Sequence, residues 1–259
     1  EFGWEPVILT ATLPGDPDSC FNVVQTPYPG DIISSLKKKL HLQPEVSLIE
    51  QKTIPPALRG NKGSIRFIKW LSKFLLSFIV YPDNNKRWTP FAIEAGYKLL
   101  RSSKFDVLLS SSSPVTANII ANELKKRVGI PWIADFRDLW TQNHYYPYIM
   151  PRKWLDRRLE LKTLSIADLL ITVSDPLAEK LRSLHRGKRI FVIPNGFDPD
   201  EVKIAPLTNK FTITYTGNIY YGKQDPKLLF SVIKEMIIEG EIKEDSIEIR
   251  FFGPQHSWL

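Results

Sequence analysis

The sequence predicts an α/β protein built on parallel sheet, followed by the start of a second α/β unit. Three observations carry this. Short apolar runs recur along the chain, and several end in small or polar residues. Each run is followed by a stretch with helical spacing of its apolar residues. The alternation resumes after a polar connection at Thr208–Lys210. Strands that alternate with helices pair in parallel through right-handed crossovers.

The elements follow in order. Val7–Thr10 is a buried strand, and Thr12–Pro29, with several Pro and Gly, reads as loop. Asp31–Leu40 is a short helix, and Pro55-Pro56 bars a helix within Gln43–Gly63. Over Ser64–Val80, Phe67, Trp70, Leu71, Phe74, Leu75 and Phe78 recur at helical spacing beside a stripe of Arg66, Lys69 and Lys73. Pro90–Arg101 is a further helix. Asp106–Ser110 is a strand and Pro114–Val128 a helix closed by Gly129. Ile130–Ala134 is a strand that runs into Asp135-Phe136-Arg137-Asp138-Leu139-Trp140. Pro151–Ile166 is a basic amphipathic helix, with Asp156 and Glu160 as local partners for its cations. Asp168–Val173 is a strand, Ser174 caps the next helix, and Arg189–Ile193 is a strand. The second unit reads as strand Phe211–Thr216, loop Gly217–Asp225, helix Pro226–Ile238 and strand Ile247–Phe252. The expected domains are 1–205 and 206–259, the second truncated, since one strand–helix–strand unit cannot bury both faces of a sheet.

Composition narrows the function. Hydrophobic residues make up 43% of the 259, enough for a real core. A single cysteine, Cys20, excludes a disulfide framework and fits a cytoplasmic setting. The four histidines, His41, His144, His185 and His256, show no metal-ligand spacing, so no metal is expected. Net charge is +7, and Gln51–Val80 holds six basic residues and no acidic one. Such a patch attracts polyanions. The Ser64–Val80 helix therefore has two readings, a peripheral contact with an anionic membrane or a helix packed on the core with a solvated basic edge. Its aromatic residues follow the helical stripe rather than an RNA-binding motif, so nucleic acid is not an expected partner.

Chemistry is expected beyond the carboxyl ends of the strands. At the first such end, Ser110–Ser113 before Pro114 either hold sugar hydroxyls or an anion, or satisfy the helix end. At the second, Asp135, Arg137, Asp138 and Trp140 combine hydroxyl acceptors, a phosphate-matching guanidinium and a stacking ring. An internal Arg137–carboxylate pair is the alternative. At the third, Gly217–Asp225 with Lys223 is either an anion-binding loop or an ordinary connection. His144 lies near the second end, and Tyr145, Tyr146 and Tyr148 line a sugar pocket or pack the loop.

The run 130–140, IPWIADFRDLW, resembles a motif of bacterial family-4-type glycosyltransferases. The segments 106–114, 167–174, 192–198 (VIPNGFD) and 215–226 follow in that family's order. The resemblance implies a GT-B architecture of two Rossmann-like domains, the first for acceptor and the second for a nucleotide-sugar donor, UDP- or GDP-linked. It implies retaining transfer to a polysaccharide or lipid-linked acceptor, with neither metal nor cofactor, in the cytoplasm or peripherally on the inner membrane face. The family's catalytic histidine does not carry over, and the strand-end residues Asp135, Arg137 and Asp138 are the catalytic candidates. Ser111, Ser112, Ser113, Trp140 and His144 are acceptor-binding candidates, and Gly217, Asn218 and Lys223 donor-phosphate candidates. Two positions depart from the family pattern: Asn218 stands where an arginine is usual, and Arg137 where a histidine is usual. The first strand with its Gly-rich loop and the later paired-glutamate motif are missing, which implies no transfer by this piece alone. The alternative is a non-catalytic sugar- or polyanion-binding module on the same fold.

Overall fold

The computed structural model describes residues 3–17, 19–39, 41, 70–71, 74–201, 206–219 and 224–253. They fall into two compact units, Glu1–Gly196 and Phe197–Leu259.

In the first unit, β1 (Val7–Ala11) pairs in parallel with β2 (Asn22–Thr26). The β2 segment lies inside the stretch expected to be loop. Its flanking prolines mask a short Val23-Val24 strand held by β1, by Thr26 Oγ1 donating to Thr10 O at 3.1 Å, and by Trp88 Nε1 donating to Thr26 Oγ1 at 2.7 Å. Helix α1 (Ile32–Lys39) follows. Of the expected Ser64–Val80 helix, residues 70–71 and 74–79 are helical and Val80 is a buried turn residue; residues 64–69 and 72–73 lie outside the described residues.

Helix α2 (Thr89–Ser102) then leads to a four-stranded parallel sheet in the order β3-β4-β5-β6. The strands are β3 (Leu108–Ser112), β4 (Trp132–Phe136), β5 (Leu169–Thr172) and β6 (Ile190–Val192). Between them run α3 (Thr116–Val128), α4 (Met150–Leu164) and α5 (Asp175–Leu184). Gly129 ends α3 at φ 76°, the left-handed conformation expected of it. Strands β3 and β4 sit two residues later than their apolar runs suggest. Polar Ser110–Ser112 and Asp135 stay in the ladder because their side chains find partners there.

The core packs Ala121 of α3 against Trp132, Ala134 and Phe136 of β4, with Leu170 and Leu181 behind. A second cluster joins Ala92, Ile120 and Leu124 to Leu9 of β1. Gly96 lets α2 approach α3: a Cβ there would lie 2.7 Å from Leu124 Cδ1.

In the second unit, β7 (Phe211–Thr216) and β8 (Ile247–Phe252) pair in parallel, and α6 (Lys227–Ile238) connects them. Phe230 of α6 meets Phe251 of β8 edge-on, 6.1 Å between ring centres.

Candidate functional site

Strand alternation sorts the serines of β3. Ser110 faces α3, where its Oγ donates to Asn118 Oδ1 at 2.7 Å and accepts from Trp132 Nε1 at 2.8 Å. It is a structural residue. Ser111 faces the other side of the sheet. In-register pairing sets it beside Asp135 of β4, and its Oγ donates to Asp135 Oδ2 at 3.1 Å. Arg137 Nε donates to the same oxygen at 2.8 Å. Arg137 Nη1 reaches Asn195 Oδ1, just past β6, at 2.9 Å. Arg137 thus ties the β4 end to the segment after β6, and Asp135 ties it to β3.

The Arg137–Asp135 ion pair does form, but it is asymmetric. The Asp135 side chain is 7% exposed and that of Arg137 41%. Asp135 Oδ1 is buried and has no hydrogen-bond partner among the described residues. A buried acceptor of that kind is uncommon and calls for an explanation. The cluster therefore offers an exposed cation beside an unsatisfied acceptor. Asp138 is exposed and makes no ion pair among the described residues. Ser112 is buried, 3.5 Å from the carbonyl of Asp135.

A cavity of about 200 Å³ lies in the first unit, lined by none of these cluster residues. Ser113 lines it from the end of β3, and Trp140, Tyr145, Tyr146 and Tyr148 line it from the loop after β4. His144 is exposed and its ring meets that of Tyr145 at a tilt, 3.9 Å between ring centres. The N-terminus of α3 is already occupied. Asp83 accepts from Thr116 N and Thr116 Oγ1, both at 2.7 Å, and so caps the helix from a distant segment.

The loop is pinned from α4. Glu160, fully buried, accepts from Thr141 Oγ1 at 2.5 Å and lies 3.3 Å from His185 Nε2. Asp156, one turn earlier, accepts from Tyr146 OH at 2.5 Å and from Arg152 Nε at 2.9 Å. Arg152 is fully buried. It also donates to the carbonyls of Ser77 and Pro82, and lies over the rings of Tyr81 and Tyr148 at 4.6 and 4.5 Å. Burial pushes the Asp156 carboxyl above the usual range, against the pull of Tyr146 and Arg152. Burial, with the hydrogen bond to Asp156, holds the Tyr146 phenol protonated far above neutrality.

In the second unit, Gly217 follows β7 at φ 136°, a conformation other residues rarely adopt. Its N–H donates to Phe252 O at 2.8 Å, and a Cβ on Gly253 would overlap its carbonyl. Asn218 O accepts from Tyr215 OH at 3.1 Å. Lys223 lies outside the described residues. The described residues contain no cluster of three or more metal-ligating side chains.

Sequence reasoning singled out Ser111, Asp135 and Arg137 but took Asn195 only as part of the 192–198 motif. The geometry brings these four together. Asp156 and Glu160 were expected only to pair locally with the cations of their helix, and the structure buries both. The spacing of Asp156 and Glu160 by four along α4 was a signal, but nothing in it says which face is buried.

An α/β unit with polar groups gathered at its strand ends is the class of protein the geometry defines. The sequence profile described as Glycosyltransferase Family 4 matches residues 54–201, more than half of the chain. The chain belongs to that family. Among solved structures it is similar to MnaA from S. aureus, solved with UDP: 12% identity, TM-score 0.40, covering 97% of this chain and 63% of that one. It is also similar to a putative UDP-N-acetylglucosamine 2-epimerase from Listeria monocytogenes: 13% identity, TM-score 0.38, covering 98% and 63%. The chain thus spans 63% of the length of each. Likeness at that level says nothing about a site. Comparison with curated proteins gives no match.

Proposed function

We propose that the chain is the acceptor-side part of a nucleotide-sugar-dependent glycosyltransferase, with its second unit contributing to donor binding. The observation that carries this is the junction of Ser111, Asp135, Arg137 and Asn195 across three strand ends, within the segment that matches the family. In the reaction, the sugar C1–O bond to the diphosphate breaks and the bond to the acceptor oxygen forms on the same face. The acceptor's proton leaves with the diphosphate. Asp135 and Ser111 orient acceptor hydroxyls. Arg137 places a fixed positive charge where negative charge develops, a term of catalysis that needs no reorganisation. Gly217, Asn218 and Lys223 are proposed to meet the donor diphosphate.

A peripheral contact with an anionic membrane is part of the proposal. Trp70, Leu71, Leu75 and Ile79 are exposed on the helical stretch within 70–79. Trp154 and Leu161 are exposed on α4 beside Arg157, Arg158 and Lys162. Arg152 joins α4 to the end of that stretch through the Ser77 carbonyl. Among the described residues no helix is long and apolar enough to cross a membrane.

The test is sugar release from a panel of UDP- and GDP-linked donors by the full-length protein, with and without glycan and lipid-linked acceptors. Turnover of at least one donor is expected. No turnover across the panel, with sugar binding intact, would instead support a non-catalytic sugar-binding module.

A further inference from the structure

The stretch that carries Arg137 and Asp138 is clamped at both ends by buried side chains from other elements. At its start, Thr172 Oγ1 of β5 donates to the carbonyl of Phe136 at 2.9 Å. At its end, Glu160 Oε2 of α4 accepts from Thr141 N at 3.2 Å and from Thr141 Oγ1 at 2.5 Å. The other carboxylate oxygen, Oε1, lies 3.3 Å from Nε2 of His185, which follows α5. Thr172, Glu160 and Thr141 are all buried, and so is the His185 side chain. Between the two clamps Leu139 and Trp140 pack into the core, while Arg137 and Asp138 are exposed. The backbone of 137–141 is therefore fixed from below and its polar side chains are presented above. The Arg152–Asp156 pair, one turn earlier on α4, holds Tyr146 and the 77–82 segment instead. A buried carboxylate is a costly way to fill a core, and an apolar residue of similar volume is often as stable or more so. Glu160 has a use that an apolar residue lacks: it fixes one N–H and one hydroxyl close behind Arg137.

We propose that Glu160, with His185 behind it, is a positioning residue for glycosyl transfer. It holds the 137–141 stretch so that the Arg137 guanidinium stays within hydrogen-bond reach of Asp135 and Asn195. It acts on the reaction through that stretch and not on a substrate. The proposal rests on the transferase reading above and gives a role in it to a residue outside the strand-end cluster. Arg137 meets Asp135 at 2.8 Å and Asn195 at 2.9 Å, so a small shift of the backbone that carries it breaks both bonds. Misplacement of a reacting group by about 1 Å is enough to lower a rate by about 10²-fold.

The test measures steady-state transfer by the full-length protein and by its Glu160→Met, Thr141→Val and Thr141→Ser variants, each alone and joined to Arg137→Lys. Thr141→Val keeps the side-chain shape and removes only the shorter bond, so a folding defect of Glu160→Met does not decide the outcome. Glu160→Met and Thr141→Val are expected to lower kcat by about 10- to 10²-fold, with the donor KM changed less than about threefold. Thr141→Ser keeps the hydroxyl and is expected to transfer at close to the unmodified rate. In the Arg137→Lys background the same two losses are expected to shrink to less than about threefold, because groups that act through one another are not additive. Equal losses in both backgrounds would overturn the proposal, as would an unmodified kcat in Thr141→Val. Either result with the unmodified protein active leaves the transferase reading standing, whereas no transfer by the unmodified protein removes both.

Discussion

At the scale of single residues, the site depends on the asymmetry between Asp135 and Arg137. Asp135 is buried and Arg137 is half in solvent, so the two are not interchangeable in a test. Arg137→Lys keeps the charge but loses the fork that spans Asp135 and Asn195. Sugar transfer is expected to fall by about 10²-fold, as when one preorganised donor is removed, with Tm nearly unchanged. Assay beside a thermal melt checks this. Arg152→Met tests the buried pair instead. It leaves the Asp156 carboxylate buried without its cation, and stability to urea is expected to drop by about 3–5 kcal/mol. The composition of 135–140 made Asp135 and Arg137 legible as candidates. Which of Ser110 and Ser111 meets Asp135 was not, because strand alternation assigns faces only once the register is known.

At the scale of elements, α4 shows where reading from sequence stops. Its run of Arg, Lys, Asp and Glu looks like a solvated helix. The structure instead buries Arg152, Asp156 and Glu160, spaced by four, and leaves Trp154 and Leu161 outside. Binary patterning gives the period of a helix but assumes that the apolar stripe faces in. Here the polar stripe faces in because the 139–148 loop and the 77–82 segment supply donors and carbonyls for it. Trp154→Ala is accordingly expected to change urea stability by no more than about 0.5 kcal/mol. The strands and helices from Leu108 onward were legible from their alternation, whereas β2 was not, since its pairing with β1 outweighs its prolines.

The join between α3, β4 and β5 has its own pH signature. Asp168 accepts from Lys125 Nζ at 2.5 Å and from Trp132 N at 2.6 Å, and these bonds, that to Lys125 first, hold its carboxyl below the usual range. A lowered pKa gives stability that is present above the unfolded value near ~3.9 and is lost as pH falls through the folded value. The side chain is 52% exposed, so screening limits the effect to about 1 kcal/mol. Asp168→Asn is expected to flatten the acid limb of Tm against pH below about pH 4, with little change in shape above it.

At the scale of the whole molecule, the chain is two α/β units with an unevenly spread positive charge. If the exposed aromatic and basic residues of 70–79 and α4 meet lipid, the protein should sediment with vesicles containing anionic lipid. It should be released as salt is raised. Binding to neutral vesicles alone, or none at all, would count against that contact. The central claim is that the strand-end cluster reads the acceptor and supports transfer. The most direct measurement compares glycosyl transfer by the full-length protein with that of an Asp135→Asn variant whose melting curve shows it folded. Near-complete loss of transfer is the expected result, and transfer at the unmodified level would contradict the account.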